Sequence, residues 1–199
     1  MPQADDQLGL LLIPPAWTEL LHRIQAVCPT AVLAGGALRD LNNGREVKDL
    51  DIFISCRAEQ LADRAMQDLG EAGFAIAWEK GDTTCYPEDQ NLEVVAIMDL
   101  LGFDLPVQLI FTNWDTDRIL DRFDYGICRI AFDGEKVTTQ ACYHEDKRDR
   151  VFRLRRDRPT PVSMRGSVHR YARLVAGKYP DWTFWPYEPG DTVEWHTIG

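Results

Sequence analysis

The pattern of apolar and polar positions predicts a chain of alternating helices and strands. Apolar residues recur at helical spacing over 15–28, 57–71 and 161–178, which predicts three amphipathic helices. Short alternating or continuous apolar segments predict strands at 30–34, 49–55, 74–78, 93–101, 107–111 and 127–132. Shorter helices are predicted at 37–43 and 115–122. The implied fold class is α/β, or α+β by stricter labels, with a short mixed sheet and helices mainly on one side.

Two local details of this pattern can be checked against a structure. Asp133-Gly134 separates the strand at 127–132 from a further apolar segment at 136–138, which predicts a β-hairpin. In the helix at 57–71 the buried stripe is predicted to comprise Leu61, Ala65, Leu69 and Ala72.

The overall composition is that of a cytoplasmic globular protein without a membrane partner. Of 199 residues, 45% are hydrophobic and 27% charged, which is ordinary for a globular domain. The apolar stretch from Leu8 to Ile13 is too short for a membrane span, and two acids precede it where a signal peptide would be basic. The five cysteines are odd in number and form no CxxC pair, which indicates reduced thiols.

The distribution of charge is more informative than the net value of −10. Residues 147–178 contain 11 of the 22 Lys and Arg residues but two acids, so this segment carries +9 and the remainder −19. Such asymmetry suggests an acidic, metal-binding body and a basic segment for polyanions. We therefore predict a head domain over 1–140 and a basic helical extension with an aromatic tail over 141–199.

One stretch combines residues that suit phosphate chemistry. A predicted strand ends in Gly35-Gly36, a short helix begins there, and the next strand carries Asp49 and Asp51. Two glycines allow a backbone to approach a phosphate closely, and the first N–H groups of a helix lack intrahelical partners. Residues two apart on a strand share one face, so both carboxylates could hold a divalent cation. The alternative is a loop glycine pair followed by a strand with solvated acids.

The pattern GG-x-x-RD followed by D-x-D-I resembles the signature of tRNA nucleotidyltransferases and bacterial poly(A) polymerases, closely so over residues 31–55. These enzymes belong to the DNA-polymerase-β-like nucleotidyltransferase superfamily, and the short chain resembles small head-only members found in phages. The resemblance implies that Gly35 and Gly36 face the triphosphate of an NTP such as ATP. It also implies that Arg39 and Asp40 contact or position the nucleotide, although these two could instead form a surface ion pair.

By the same resemblance, Asp49 and Asp51 would be the catalytic carboxylates that bind Mg²⁺ or Mn²⁺. The superfamily usually has a third carboxylate on a neighbouring strand, where this sequence has Gln108. An amide offers an oxygen but no charge, so it is a poorer ligand for Mg²⁺. Glu93 is the substitute we prefer as a metal ligand, and the alternative is that it is a solvated strand residue. Asp99 is interpreted as a strand-end acid.

The base-selecting motif of tRNA-type enzymes, acid-acid-x-x-Arg on a helix, has no convincing copy in this chain. Residues 145–148 (EDKR) come near it with the wrong spacing, and we interpret them as a solvated helix end. Specificity for CCA addition is therefore not implied, although a role in tRNA processing is compatible with the resemblance.

The final helix presents a basic face that could bind nucleic acid. Arg165, His169 and Arg173 follow one another at intervals of four residues, so they share one polar face. They could bind phosphates of RNA or pair with the acidic body, and both interpretations stay open.

The function predicted from all of this is Mg²⁺-dependent transfer of a nucleoside monophosphate from an NTP to a hydroxyl, with an RNA 3′ end as the favoured acceptor. A protein or a small molecule could also be the acceptor. The alternative function is that of a catalytically impaired protein that binds nucleotide, RNA or a protein partner.

Overall fold

The computed structural model describes residues 11–56, 59–77, 94–155 and 161–185. Its α-helices are α1 (Pro15–Gln25), α2 (Gly36–Asn42), α3 (Glu59–Glu71), α4 (Ala141–Asp149) and α5 (Pro161–Gly177). Its strands are β1 (Val32–Ala34), β2 (Leu50–Ser55), β3 (Ala75–Ala77), β4 (Val94–Leu101), β5 (Val107–Thr112), β6 (Ile130–Phe132), β7 (Val137–Thr139), β8 (Val151–Arg153) and β9 (Thr183–Trp185). Two 3₁₀ helices span Thr116–Arg122 and Gly126–Cys128. No helix in the described ranges has the length and apolar character needed to cross a lipid bilayer.

In the described part of the chain, the main sheet has seven strands in the order β3-β4-β5-β2-β1-β6-β7. β2 and β5 run parallel, whereas the other neighbouring pairs are antiparallel, so the predicted mixed sheet is confirmed. β6 and β7 form the predicted hairpin around Asp133-Gly134. The central position of β2 follows from its sequence, because its apolar residues lie on both faces and bury the strand against two layers.

The two faces of the sheet are covered differently. Leu50, Ile52 and Ile54 of β2 pack into the larger core, together with residues of α1, α2, α3 and α5. Phe53 lies on the opposite face in a smaller core that includes Trp114 and part of the first 3₁₀ helix. The α-helices therefore lie mainly on one side of the sheet, as predicted. The opposite face is covered less completely, and this is where polar residues of the strands can reach a ligand.

The stripe predicted for the helix at 57–71 was right for Ala65 and Leu69 and wrong for Leu61 and Ala72. Leu61 is 53% exposed, whereas Ala62 is 1% exposed and belongs to the core with Leu69. Ala72 is exposed beyond the end of α3. In the described residues α3 buries the face around Ala62, Ala65 and Leu69, so the larger Leu61 side chain faces solvent although its hydrophobicity favoured burial.

The segment after residue 140 shares the core of the preceding residues. Val168, Leu174, Tyr179, Trp182 and Phe184 are buried in the same cluster as the helix-facing residues of the sheet. β8 and β9 pair in parallel as a separate two-stranded sheet, which the sequence did not predict. The division into domains at residue 140 stays a prediction, but the part of the extension that is described packs against the head.

The interpretation of residues 145–148 as a solvated helix end is wrong for Asp146. This residue lies in α4 with no exposed surface, and its carboxylate accepts hydrogen bonds from the backbone N–H groups of Ile127 and Arg153. Arg153 and Arg155 pair with the same carboxylate. Asp146 is thus a structural link between α4, β8 and the short 3₁₀ helix, which explains why it is buried although it is charged.

Candidate active site

The sheet and α5 enclose a cleft of about 220 Å³ that contains the predicted carboxylates. From the strands and α2 it is lined by Gly36, Arg39, Asp49, Asp51 and Phe53. Its other walls are formed by Trp114, Ile119, Arg122, Phe123, Asp124, Cys128, Arg170, Arg173 and Leu174. Residues from three separate stretches of the chain, 36–53, 114–128 and 170–174, therefore converge on one site.

Asp49 and Asp51 lie together on the incompletely covered face of the sheet. Asp49 is exposed immediately before β2, and Asp51 is half-buried within the strand. Burial, followed by repulsion from Asp49, raises the pKa of Asp51 to about 7, although Arg170 and Arg39 act against the shift. Within the described ranges, neither carboxylate forms a hydrogen bond or an ion pair. Two adjacent carboxylates without donors repel each other, and a divalent cation would relieve that repulsion.

The position of the expected third carboxylate is occupied by Gln108. In the parallel pair of β2 and β5, Gln108 is the register partner of Asp51, so both side chains lie on the same face. The Gln108 amide donates a hydrogen bond to Asp99 Oδ1 at 2.9 Å. Glu93, our preferred substitute, lies outside the described residues. Among the residues that are described, no group of three acidic, histidine or cysteine side chains could hold a metal ion.

The donor set thus fits one divalent cation anchored by Asp49 and Asp51. Water and ligand oxygens would have to complete its coordination, because the neighbouring strand provides an amide where a third charge would stand. This fit rests on the chemistry of the two carboxylates and on their lack of partners in the part of the chain that the structure describes.

The two glycines of the motif occupy different environments. Gly35 has φ +79°, and a Cβ there would lie 2.6 Å from Phe123 Cε1. Gly36 begins α2 and lines the cleft, and a Cβ there would have Arg39 Nη2 at 3.8 Å as its nearest neighbour. Gly35 is therefore required by the backbone and by the aromatic ring, whereas Gly36 leaves space that faces the cleft.

Arg39 and Asp40 form a buried pair below the cleft. The two residues are 5% and 2% exposed, so the pair does not lie at the surface. Arg39 Nε donates to Asp40 Oδ1 at 2.7 Å, and the Asp40 carboxylate also accepts from the Tyr179 hydroxyl at 2.8 Å and pairs with Lys178. Arg39 lines the cleft, whereas Asp40 is enclosed by its partners. The role predicted for both in nucleotide binding stays a prediction, and the contacts favour Asp40 as the residue that holds Arg39.

α5 places one end of its basic face at the cleft. Arg165, His169 and Arg173 are exposed on this helix, as its pattern predicted. Arg173 lines the cleft, while Arg165 lies two helical turns away from it. Arg173 thus lines the same cleft as Asp49 and Asp51, whereas Arg165 lies away from it.

Several residues of the cleft were missed by the sequence interpretation. Phe53 packs on Trp114 with ring centroids 6.3 Å apart and meets Phe123 edge-on at 5.7 Å. The Arg122 guanidinium lies over the Trp114 ring at 5.4 Å. No sequence motif links these residues, because they come into contact only when the strands assemble into the sheet. The one signal in the sequence was the position of Phe53, two residues after Asp51 and therefore on the same face.

Comparison with protein-family models identifies the chain. Residues 16–150 match the model described as Gabija anti-defense 2 family protein. The match includes the glycine pair, both aspartates and Gln108, and it covers more than half of the chain. The chain belongs to the Gabija anti-defense 2 family. The motif resemblance did not predict this family, because it pointed to tRNA nucleotidyltransferases. A search of curated proteins gave no match.

Solved structures similar to this family member are nucleotidyltransferases. They include a Bacillus stearothermophilus CCA-adding enzyme in complex with CTP (TM-score 0.58, 19% identity, 87% of this chain and 42% of that one). Another is a CCA-adding enzyme with ATP (TM-score 0.58, 17% identity, 89% and 41%). A third is a tRNA nucleotidyltransferase with a primer tRNA and an incoming ATP analogue (TM-score 0.54, 18% identity, 82% and 46%).

At these identities the similarity shows the fold, and the predicted nucleotidyltransferase fold is confirmed. The chain spans less than half the length of these structures. The head-only, phage-like character inferred from the sequence stays a prediction.

Proposed function

We propose that this Gabija anti-defense 2 family member is a nucleotidyltransferase that depends on Mg²⁺ or Mn²⁺ and transfers a nucleoside monophosphate from an NTP to a hydroxyl group. One observation carries the proposal: Asp49 and Asp51, whose carboxylates accept no hydrogen bond from the described residues, lie in the same cleft as Gly36 and the guanidinium groups of α5. Carboxylates that can anchor a cation, space beside a glycine and nearby arginines are the features that bind a metal-chelated triphosphate.

In the proposed reaction, the acceptor hydroxyl oxygen forms a bond to the α-phosphorus of the NTP. The bond between that phosphorus and the α–β bridging oxygen breaks, pyrophosphate leaves, and the hydroxyl proton passes to solvent. A divalent cation held by Asp49 and Asp51 would supply Lewis-acid stabilisation of the phosphate charge. The chain itself orients the nucleotide through Gly36 and Arg39, while Asp40 keeps the Arg39 side chain in place.

An RNA 3′ end is the acceptor that we favour, and the family description adds an anti-defence setting to the proposal. The solved structures with a similar fold include one described with a primer tRNA. The exposed face of α5 offers Arg165 for RNA phosphates, because Arg165 forms no ion pair among the described residues. A hydroxyl on a protein of the defence system is the other acceptor to test.

The decisive experiment adds each α-labelled NTP and Mg²⁺ to the protein in the presence of total RNA or total protein. The proposal expects label in the RNA pool, with a preference for one or two of the four nucleotides. Label confined to the protein pool would support the transferase activity but show that the acceptor is a protein and not RNA. Absence of label from both pools, under conditions where NTP binds, would contradict catalysis.

The RNA acceptor makes a prediction about Arg165. Replacing it with Gln is expected to weaken RNA binding to a similar degree for all sequences, because phosphate contacts carry no sequence information. The slope of the logarithm of affinity against the logarithm of salt concentration should fall by about 0.7 for one lost contact with a single strand. Binding would be measured by fluorescence anisotropy with short labelled RNAs between low and physiological salt.

Arg148→Gln is the matched control for this experiment. It removes the same charge from the basic segment, but Arg148 is already paired with Asp149 at 2.8 Å. The control should bind RNA as the unmodified protein does. An equal loss of RNA affinity in both variants would mean that the overall charge of the segment attracts RNA. Unchanged RNA affinity in both variants would show that Arg165 does not contact the acceptor.

One observation favours the alternative of a catalytically impaired binding protein. Gln108 lies directly beside Asp51, where the superfamily usually has a carboxylate, and an amide cannot take up the proton of an attacking hydroxyl. The two functions differ in a Gln108→Asp variant. If the native protein is an impaired binder, this change could introduce label transfer that the unmodified protein lacks, whereas an active enzyme already transfers label without it.

A further inference from the structure

The cleft has walls of opposite charge that come from distant parts of the chain. Asp49 and Asp51 stand at the start of β2, and Arg170 and Arg173 stand on α5. The two guanidinium groups are one helical turn apart, so both can face the same ligand. Arg170 and Asp51 line the same cleft, and the positive charge of Arg170 acts against the rise that burial and Asp49 cause in the pKa of Asp51.

Arg170 is held in position by buried partners. It pairs with Asp124, which is 2% exposed and also accepts a hydrogen bond from the Ser167 hydroxyl at 2.9 Å. The neighbouring Tyr125 hydroxyl donates to the backbone carbonyl of Ser167. These contacts attach the middle of α5 to the segment between β5 and β6, and they fix the direction in which the helix presents its next turn.

Arg173 differs from most cations of the basic segment because its charge is not neutralised within the described residues. Ion pairs are formed by other members of that segment, namely Arg148, Arg150, Arg153, Arg155, Arg170 and Lys178. Arg173 is exposed, forms no ion pair in the described part of the chain, and lines the cleft. A guanidinium in this position is available to an anion that enters the cleft.

We propose that α5 completes the nucleotide site, with Arg173 as the residue that binds the β- and γ-phosphates of the NTP and Arg170 as its fixed neighbour. This inference rests on the proposed function and names a binding residue for the same site. A metal-chelated triphosphate has a cationic side and an anionic side, which match the carboxylates of β2 and the guanidinium groups of α5. The cleft, at about 220 Å³, is smaller than the roughly 300–1,000 Å³ of pockets that enclose whole drug-sized ligands. It therefore suits the phosphates and leaves the base nearer the opening.

Inorganic tripolyphosphate with Mg²⁺ is the probe for this inference, because it contains the phosphate chain without a base whose identity is unknown. Its affinity would be measured by calorimetry for the unmodified protein, for Arg173→Gln and for the matched control Arg148→Gln. Loss of a charge-assisted contact predicts a 10- to 100-fold weaker affinity, to order of magnitude, in Arg173→Gln. The control should be unchanged, and both variants should melt near the unmodified protein, because both arginines are exposed.

A second series distinguishes the nucleotide from RNA as the source of the phosphate. With the NTP that the protein uses, the loss in Arg173→Gln should be large for the triphosphate and small for the monophosphate. Unchanged tripolyphosphate affinity together with weaker RNA binding would overturn the inference and assign Arg173 to the acceptor. Unaltered tripolyphosphate affinity and RNA binding would overturn it as well, while label transfer by the same variant would show that the proposed function still holds. If the unmodified protein binds neither tripolyphosphate nor any NTP, the proposed function fails with it.

Discussion

Replacing Asp49 and Asp51 together with Asn is expected to reduce nucleotidyl transfer at least about 1,000-fold, since the loss of cation anchoring removes several kcal/mol of stabilisation from the transition state. Asn keeps the shape of each side chain but carries no charge, so a divalent cation would lose both of its anchors. Transfer of label from an α-labelled NTP would be measured at saturating nucleotide. The increase in melting temperature caused by Mg²⁺ plus NTP should disappear in the same variant.

The structure also predicts how this variant behaves without ligand. Asp49 and Asp51 repel each other, and Asp51 is partly desolvated, so neutral side chains should leave the free protein as stable as before or more stable. Asp104→Asn is the matched control, because Asp104 is an exposed acid in the turn before β5. A variant that keeps its stabilisation by Mg²⁺ plus NTP would remove these aspartates from the metal site. A large loss in the control would indicate a general effect of charge.

The local part of the site could be predicted because it depends on residues close in sequence. A strand that ends in Gly35-Gly36 and a second strand with Asp49 and Asp51 on one face follow from apolar periodicity and from the two-residue repeat of a strand. The structure places Gly36 and both aspartates in one cleft, as this pattern implied. The antiparallel pairing of β1 with β2 was not predicted, because the helix between them leaves the relative direction of the two strands open in the sequence.

The remaining walls of the site could not be predicted, because they depend on contacts between distant segments. Arg170 lies at the cleft because Asp124, which precedes it by 46 positions, is buried beside Ser167. In the sequence Asp124 is one acid among many, and nothing in its neighbourhood indicates burial. Asp146 shows the same limit: a charged helix end was expected to be solvated, but two backbone N–H groups and two arginines converge on it.

The position of Gln108 shows what a resemblance and a structure each contribute. The resemblance led to the neighbouring strand as the place to look for a third carboxylate. The register of β5 against β2 then places Gln108 beside Asp51, and Asp99 pairs with Gln108 on the next strand. The structure therefore places Gln108 next to the carboxylates, while its equivalence to the third carboxylate of the superfamily stays a prediction. Label transfer by the Gln108→Asp variant measures its consequence for catalysis.

Replacing Gly36 with Val is expected to lower nucleotide affinity about 100-fold or more while leaving the melting temperature close to that of the unmodified protein. Gly36 does not have a positive φ, and a Cβ there meets only Arg39 Nη2 at 3.8 Å. The protein can therefore accommodate the side chain, but the added methyl groups would occupy the space beside Arg39 that the phosphates need. A 100-fold loss of affinity corresponds to about 2.7 kcal/mol of binding free energy. Calorimetric titration with Mg²⁺ and NTP, or with tripolyphosphate, measures the loss.

Gly35→Ala provides the opposite case from the adjacent position. Its φ of +79° is strained for any L side chain, and its Cβ would lie 2.6 Å from the Phe123 ring, so this variant should lose stability before it loses affinity. Gly70→Val is the control for the substitution itself, because Gly70 is exposed in α3 and a Cβ there meets nothing within 4 Å. If Gly36→Val melts far below the unmodified protein, and its folded fraction binds nucleotide normally, then Gly36 serves the fold. If only its affinity falls, the glycine is required by the ligand, and the start of α2 faces the phosphates.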